Sequence, residues 1–363
     1  ELKSPRPADR QIAYRCAIGN TQSHGRNRDA RGGDTESDFI LIVGGPTASG
    51  KSVLALDLAS QFGGVVVNAD SMQVYQELRI LSARPTRADE DRVPHRLYGV
   101  LPARQRCSAG LWREMAMAEI ADAQAQRLLP ILVGGTGLYF RSLLKGLAPV
   151  PPVPKVVRAA AAALHAEVGA TEFHRLLAAR DPDSAARIHP ANTQRVLRAY
   201  EVYEATGKSL SDWQGDQDGG SEYAGRVAAL VLEPPRQELY AACDARAERM
   251  AATGGIEEAA ALLALELDPA LPAMKALGVR EFAEFLIGAA TQDEAVDNLR
   301  RSTRRYAKRQ ATWFRHQMPE ATRVRQRNDS ANDENIREIA AALLGRTTSG
   351  RRSDGALRSG GRK

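Results

Sequence analysis

Phe39-Ile-Leu-Ile-Val-Gly-Gly-Pro-Thr-Ala-Ser-Gly-Lys-Ser52 decides the fold. Its first half is a short, apolar, β-branched run that suits a strand buried on both faces. Its second half, Gly45 to Ser52, matches the pattern G-x-x-x-x-G-K-[ST], and SVLALDLASQF follows with apolar residues at helical spacing. A strand before the motif and a helix after it are the context that gives the motif meaning. The glycines let backbone N–H groups turn inward around phosphate oxygens, and the helix N-terminus adds positive potential. Gly45, Pro46, Thr47, Ala48, Ser49, Gly50, Lys51 and Ser52 are therefore expected to cradle a diphosphate. Lys51 supplies a point charge, and the Ser52 hydroxyl is the expected Mg²⁺ ligand. The cradle does not name its occupant, since any diphosphate fits and not only ATP.

Working outward, GGVVVNAD (63–70), RLLPILVGG (127–135) and RVAALVLEPP (226–235) read as further strands. Strands alternating with helices predict an α/β fold, a parallel P-loop NTPase-like sheet flanked by helices. Two of these strands run directly into polar or glycine-rich turns. Asn68-Ala-Asp70-Ser71-Met72-Gln73 follows one, and a carboxylate there can act as a general base, a Mg²⁺ ligand or a helix N-cap. Gly134-Gly-Thr136-Gly137 follows the other, and in such sheets the C-terminal ends of strands line the ligand crevice.

The proline cluster APVPPVPK (148–155) breaks the alternation. Residues 155–212 then read as helices only, with Gly207 as a C-cap, before the strand at 226 returns to the sheet. The predicted organisation is a P-loop core over 39–150, an all-helical insertion over 151–220, and a return to the sheet plus C-terminal helices over 221–344. The segments 1–38 and 345–363 are polar or low-complexity and read as disordered.

Composition limits the function. Hydrophobic residues are 43% and aromatics only 5% of the 363 residues, so Leu, Val and Ala must fill the core. No apolar run approaches the roughly 20 residues that span a bilayer, and the first 38 residues hold no apolar leader core. Cys16, Cys107 and Cys243 make no C-x-x-C pair, which fits a reducing, cytoplasmic setting. The net charge of +6 is mostly terminal. Seven Lys/Arg face six Asp/Glu in 1–38, and six face one in 345–363, so the body between is formally neutral. A nucleic-acid surface must then come from local clustering. LRRSTRRYAKRQATWFR (299–315) is the strongest cluster, and Arg301, Arg304, Arg305 and Lys308 form one helical stripe with few acids nearby in sequence. A monomer is expected, because no sustained heptad is evident.

Together, GPTASGKS, NADSMQVY, SARPT with VPHRLYGV, GGTGLYFRSLLKGL, NTQRVLRAYEVYEATGKSLSDWQ, LYAACDARAERM, KALGVREF and TRRYAKRQATWFR resemble, in order, the tRNA dimethylallyltransferase (isopentenyl transferase) family. The likeness runs from about Phe39 to Arg315. It implies transfer of the dimethylallyl group of dimethylallyl diphosphate to the exocyclic amine of the adenine 3′ to the anticodon in tRNA, with diphosphate released. It further implies that Asp70 takes the amine proton and that Thr136 and Arg246 contact the diphosphate. Asp70, Ser71, Met72 and Gln73 would form part of the base pocket, and Thr136 would also touch the tRNA. The anticodon stem-loop would meet Arg158, the helical segment Gln194, Arg195, Val196, Leu197 and Arg198, and Lys275 and Arg280. Arg301, Arg304, Arg305 and Lys308 would grip its backbone. The chain departs from the family at Ala242 and Cys243, where Arg and Ile are usual, and at Ser82 and Arg84, where Thr and Lys are commoner. It has no Cys/His set matching the zinc finger of eukaryotic relatives. Three rivals remain at this stage: a small-molecule kinase, a prenyltransferase acting on free adenine nucleotides, and a non-catalytic P-loop RNA-binding protein.

Overall fold

The structure is a computed structural model that describes residues 39–215, 223, 226–326, 336 and 338–345. The expected disorder of 1–38 and of the C-terminal tail thus falls, apart from Gly345, outside the described residues. Six parallel strands form the sheet: β1 Ile40–Gly44, β2 Gly64–Asn68, β3 His95–Arg96, β4 Leu129–Gly134, β5 Val227–Leu232 and β6 Thr322–Val324, in the order β3-β2-β4-β1-β5-β6. The α/β reading of the sequence therefore holds. Strands β1, β2 and β4 are buried at every residue, which explains why their sequences are continuous apolar runs rather than alternating ones. Two strands were not foreseen. β3 and β6 have two and three residues, too few to carry a period of two.

The chain passes from β1 through helix α1 (Lys51–Phe62) to β2, skipping a position that β4 later fills. Gly44 of β1 lies opposite Gly134 of β4, and Asn68 of β2 lies opposite Val133. The three turns after these strands therefore emerge side by side at the C-terminal end of the sheet. Their approach is close: a Cβ on Gly134 would overlap the Ala69 carbonyl. The apolar core beneath includes Leu41, Val43, Leu54, Leu58, Val66, Ile131 and Leu230.

Further helices flank the sheet: α2 Arg87–Arg92, α3 Ala109–Ala125 and α4 Gly137–Lys145. Residues Arg141–Ala224 form one compact unit, and the remaining described residues form the other. Within the first lie α5 Lys155–Ala178, α6 Pro182–Arg187, α7 Thr193–Thr206 and α8 Leu210–Gly215. Gly169 interrupts α5 with φ 77, so the two helices read from the sequence meet there at a kink. Gly207 ends α7 at φ 68, with its N–H bonded to Tyr203 O. This unit has its own core of Phe173, Leu177, Val196, Ala199 and Tyr200.

After β5 come α9 Arg236–Ala252, α10 Gly255–Leu263, α11 Val279–Leu286 and the long α12 Gln292–Gln317. Helix α12 opens on a capping box between Thr291 and Glu294. It buries Leu299, Thr303, Ala307, Gln310 and Phe314, a seam at spacings of three and four.

Candidate active site

The turn between β1 and α1 is wound by positive φ at Gly45 (150°), Ala48 (63°) and Gly50 (88°). Ala48 carries the strain of a left-handed conformation in a residue with a Cβ. Buried Leu239 and Cys243 of α9 and Ala307 of α12 pack against it and hold it there. Cys243 and Ala242, the departures noted in the sequence, are both buried on α9. The Ser49 hydroxyl is fully buried and has no hydrogen-bond partner. A buried, unsatisfied polar atom in a phosphate-type turn is what an arriving phosphate oxygen would satisfy.

Not every N–H of the turn is free for a ligand. The Thr47 N–H donates to Gln310 Oε1 at 2.8 Å and the Ser49 N–H to Pro46 O at 3.3 Å. Helix α1 begins at Lys51 without a side-chain cap, which leaves its first turn to face an anion. Lys51 is 8% exposed and donates from Nζ to Pro46 O at 3.2 Å. Burial lowers its pKa to about 8, the Asp70 carboxylate opposes that fall, and the Arg246 guanidinium adds to it. Ser52, the metal ligand expected from the sequence, is exposed on the first turn of α1. Among the described residues no group of three or more His, Cys, Asp or Glu could hold one. The donor set suits Mg²⁺, which keeps waters and shares phosphate oxygens rather than needing a protein cage.

The turn after β2 is locked by Asn68. Its side chain accepts the Asp70 N–H at 2.8 Å and donates to Asp70 O and Leu97 O, each at 3.0 Å. Trp112 Nε1 holds Asn68 O at 2.8 Å. Asp70 Oδ1 accepts the Met72 N–H at 2.9 Å. Residues 71–74 are turns, so Asp70 caps no helix and that reading lapses. The turn after β4 joins this one: Thr136 Oγ1 accepts the Ser71 N–H at 2.9 Å and donates to Ser71 Oγ at 3.3 Å. The Tyr306 hydroxyl bonds the Thr136 side chain, and burial beside the Asp70 charge pushes its pKa up. Arg246 of α9 donates from Nη2 to Ser82 O at 3.2 Å. Burial lowers its pKa and Asp70 counters the fall.

Lys51, Asp70, Thr136 and Arg246, chosen from the sequence, are thus brought to one place. Gln73 is buried, and its amide nitrogen donates to Ser82 O at 3.0 Å and Ala83 O at 3.2 Å, so that nitrogen is committed to the 82–83 turn. Two further residues were missed. Tyr306 was legible only as one aromatic in a basic run. Gln310 was the one amide on an apolar seam, a signal that could have found it.

The expected tRNA contacts need correction at two points. Val196 is 1% exposed and packs in the core of the helical unit, so its side chain cannot reach a ligand. In that unit Gln194, Arg195 and Arg158 are exposed, and Leu197 packs on the core. Arg198 is half-buried beside Arg158, and burial lowers its pKa. The basic stripe of α12 is also less bare than its sequence suggested, because acids arrive from α9. Arg304 forms a two-pronged ion pair with Asp244, and Arg300 bonds Glu248 at 2.7 Å. Arg301 bonds Asn298 at 2.5 Å, while Arg305 and Lys308 are exposed. Arg280 pairs with Glu284 at 3.0 Å, one turn along α11. No described helix is long and apolar enough to cross a membrane.

The chain matches the family model described as IPP transferase over residues 73–317 and that described as isopentenyl transferase over 38–104. It is 56% identical over 284 residues to the tRNA dimethylallyltransferase of Rhodospirillum centenum, covering 78% of this chain and 90% of that protein. The namesake from Rhodopseudomonas palustris is 54% identical over 285 residues, with the same coverage. Among solved structures, the tRNA isopentenylpyrophosphate transferase of Bacillus halodurans aligns with a TM-score of 0.63 at 30% identity, over 87% of this chain and 99% of that one. A eukaryotic dimethylallyltransferase acting on tRNA aligns at 0.73 and 23% identity, over 86% of this chain and 79% of its own, and speaks for the fold alone.

Proposed function

The chain belongs to the IPP transferase family of tRNA dimethylallyltransferases, and from that premise we propose how its site performs the transfer. The protein moves the dimethylallyl group of dimethylallyl diphosphate to the exocyclic amine of the adenine 3′ to the anticodon in tRNA. The amine lone pair attacks the allylic carbon, the carbon–oxygen bond breaks, and diphosphate departs with the bonding electrons. The observation that carries this reading is the meeting of Asp70 with Lys51, Arg246 and Thr136 where three strand ends converge.

Each group has a task that its surroundings support. The first turn of α1, Lys51 and Arg246 stabilise negative charge as it develops on the leaving group. Thr136, whose oxygen accepts the Ser71 N–H, would turn its one O–H from Ser71 Oγ toward the oxygen of the breaking bond. Asp70, fixed by Asn68 and Met72, accepts the proton that the amine loses. An allylic carbon tolerates positive character, so no covalent enzyme intermediate is required. Ser52 and the diphosphate oxygens would hold Mg²⁺, which when bound adds positive charge at the leaving group. An unpaired loop base is cheap to extrude, at a few kcal/mol. Arg305 and Lys308 on α12, and Arg158, Arg195 and Arg198 in the helical unit, are the cations proposed to meet the RNA backbone of the anticodon stem-loop. Cytoplasmic, monomeric action is part of the same proposal.

Diphosphate release tests it. With unmodified tRNA, dimethylallyl diphosphate and Mg²⁺, one diphosphate should appear per prenyl group transferred. Equal release with AMP as acceptor would instead assign the chain to free nucleotides, and transfer of the ATP γ-phosphoryl group to a small acceptor, with ADP formed and no prenyl transfer, would assign it to the kinases.

A further inference from the structure

Gln310 lies on α12, far in sequence from both phosphate-facing turns, yet touches each. Its carboxamide oxygen accepts the Thr47 N–H at 2.8 Å, and its nitrogen donates to Gly135 O at 2.9 Å. The side chain is 5% exposed, so neither bond competes with bulk water. A carboxamide offers one acceptor and one donor on a rigid plane, which is what bridging an N–H and a C=O requires. Gly135 has no side chain where the amide sits: a Cβ there would overlap Gln310 Nε2. Next to Gly135, Thr136 bonds Ser71, which adjoins Asp70. One line of bonds therefore runs from the diphosphate cradle through Gln310 to the hydroxyl and carboxylate proposed to act on the reacting atoms.

The geometry points to Gln310 as a positioning residue that fixes the separation of the cradle turn from the Gly135–Thr136 turn, so that a diphosphate gripped by the first presents its departing oxygen to Thr136. The inference rests on the transfer reaction proposed above. It also explains why the Thr47 N–H is withheld from the ligand: it anchors the cradle instead of binding in it. Without the bridge, Lys51 and the α1 N-terminus still hold diphosphate in the ground state. Misplacement of about 1 Å at the reacting centre lowers rate by about 100-fold. The loss should therefore fall on kcat rather than KM.

The test is steady-state dimethylallyl transfer to tRNA, read by nucleoside mass, for Gln310→Met and Gln310→Glu beside the wild-type protein. Gln310→Met keeps the length and loses both bonds. It should lower kcat by about 10- to 100-fold with KM for dimethylallyl diphosphate within a few-fold. In a Thr136→Ala background the same change should cost little more. Gln310→Glu adds a pH signature. A protonated carboxyl can donate to Gly135 O and accept from Thr47, whereas a carboxylate repels Gly135 O. Burial raises a carboxyl pKa, so the ratio of variant to wild-type kcat should climb as pH falls. That ratio also reads the role if Gln310→Met proves unstable. A lowered melting temperature with kcat and the pH ratio unchanged would reduce Gln310 to packing and overturn the inference. If wild-type protein transfers no prenyl group, the function proposal fails first, and the two failures are distinguishable.

Discussion

Asp70 and Lys51 carry the proposed chemistry at the scale of single residues. Asp70→Asn retains the bonds to Met72 and to the turn but cannot take a proton. It should lower kcat by about 10²- to 10⁴-fold while dimethylallyl diphosphate binds with near-native affinity in equilibrium titration. Lys51 sets a pH dependence. Its pKa stands near 8 because burial disfavours the ammonium. Raising the pH through that value removes its charge from the free protein, so kcat/KM for dimethylallyl diphosphate should fall above about pH 8. Bound diphosphate favours the charged form, so kcat should hold to higher pH. Lys51 and Asp70 were legible because their neighbours in sequence, glycines and a strand end, fix what they can face. Gln310 was not, since its importance depends on Thr47 and Gly135, which no local pattern links to it.

At the scale of elements, α12 seals the site by packing on glycines. Phe314 lies 2.6 Å from where a Cβ on Gly44 would sit, and Trp313 fills the space at Gly137. Gly137→Ala should force the indole aside and destabilise the protein by about 1–3 kcal/mol, read as a lowered urea midpoint with an unchanged slope. The long elements were readable: β1, β2, β4 and β5 from their apolar runs, and α12 from its basic stripe at helical spacing. Strands β3 and β6 were not, because their pairing comes from the neighbouring strand and not from their own few residues. The acids that neutralise Arg304 and Arg300 were missed for a related reason. Asp244 and Glu248 sit on α9, and only the packing of α9 against α12 brings them near.

On the scale of the whole molecule, net charge says little and its distribution much. The free cations of α12 should matter more to RNA than the paired ones. Lys308→Ala should weaken tRNA binding and reduce the slope of log K against log salt by about 1. Arg304→Ala should change that slope less, since Asp244 already neutralises it, and should cost at most about 1 kcal/mol of stability. The α/β core and its three converging turns followed from strand–turn motifs at 39–52, 63–73 and 127–137. The measurement that bears most directly on the central claim is the mass of nucleosides from tRNA incubated with dimethylallyl diphosphate and Mg²⁺, for wild-type protein and Asp70→Asn. A dimethylallyl gain on adenosine, lost in Asp70→Asn, is the predicted result. An unchanged nucleoside mass with wild-type protein, or an equal gain with Asp70→Asn, would contradict the account.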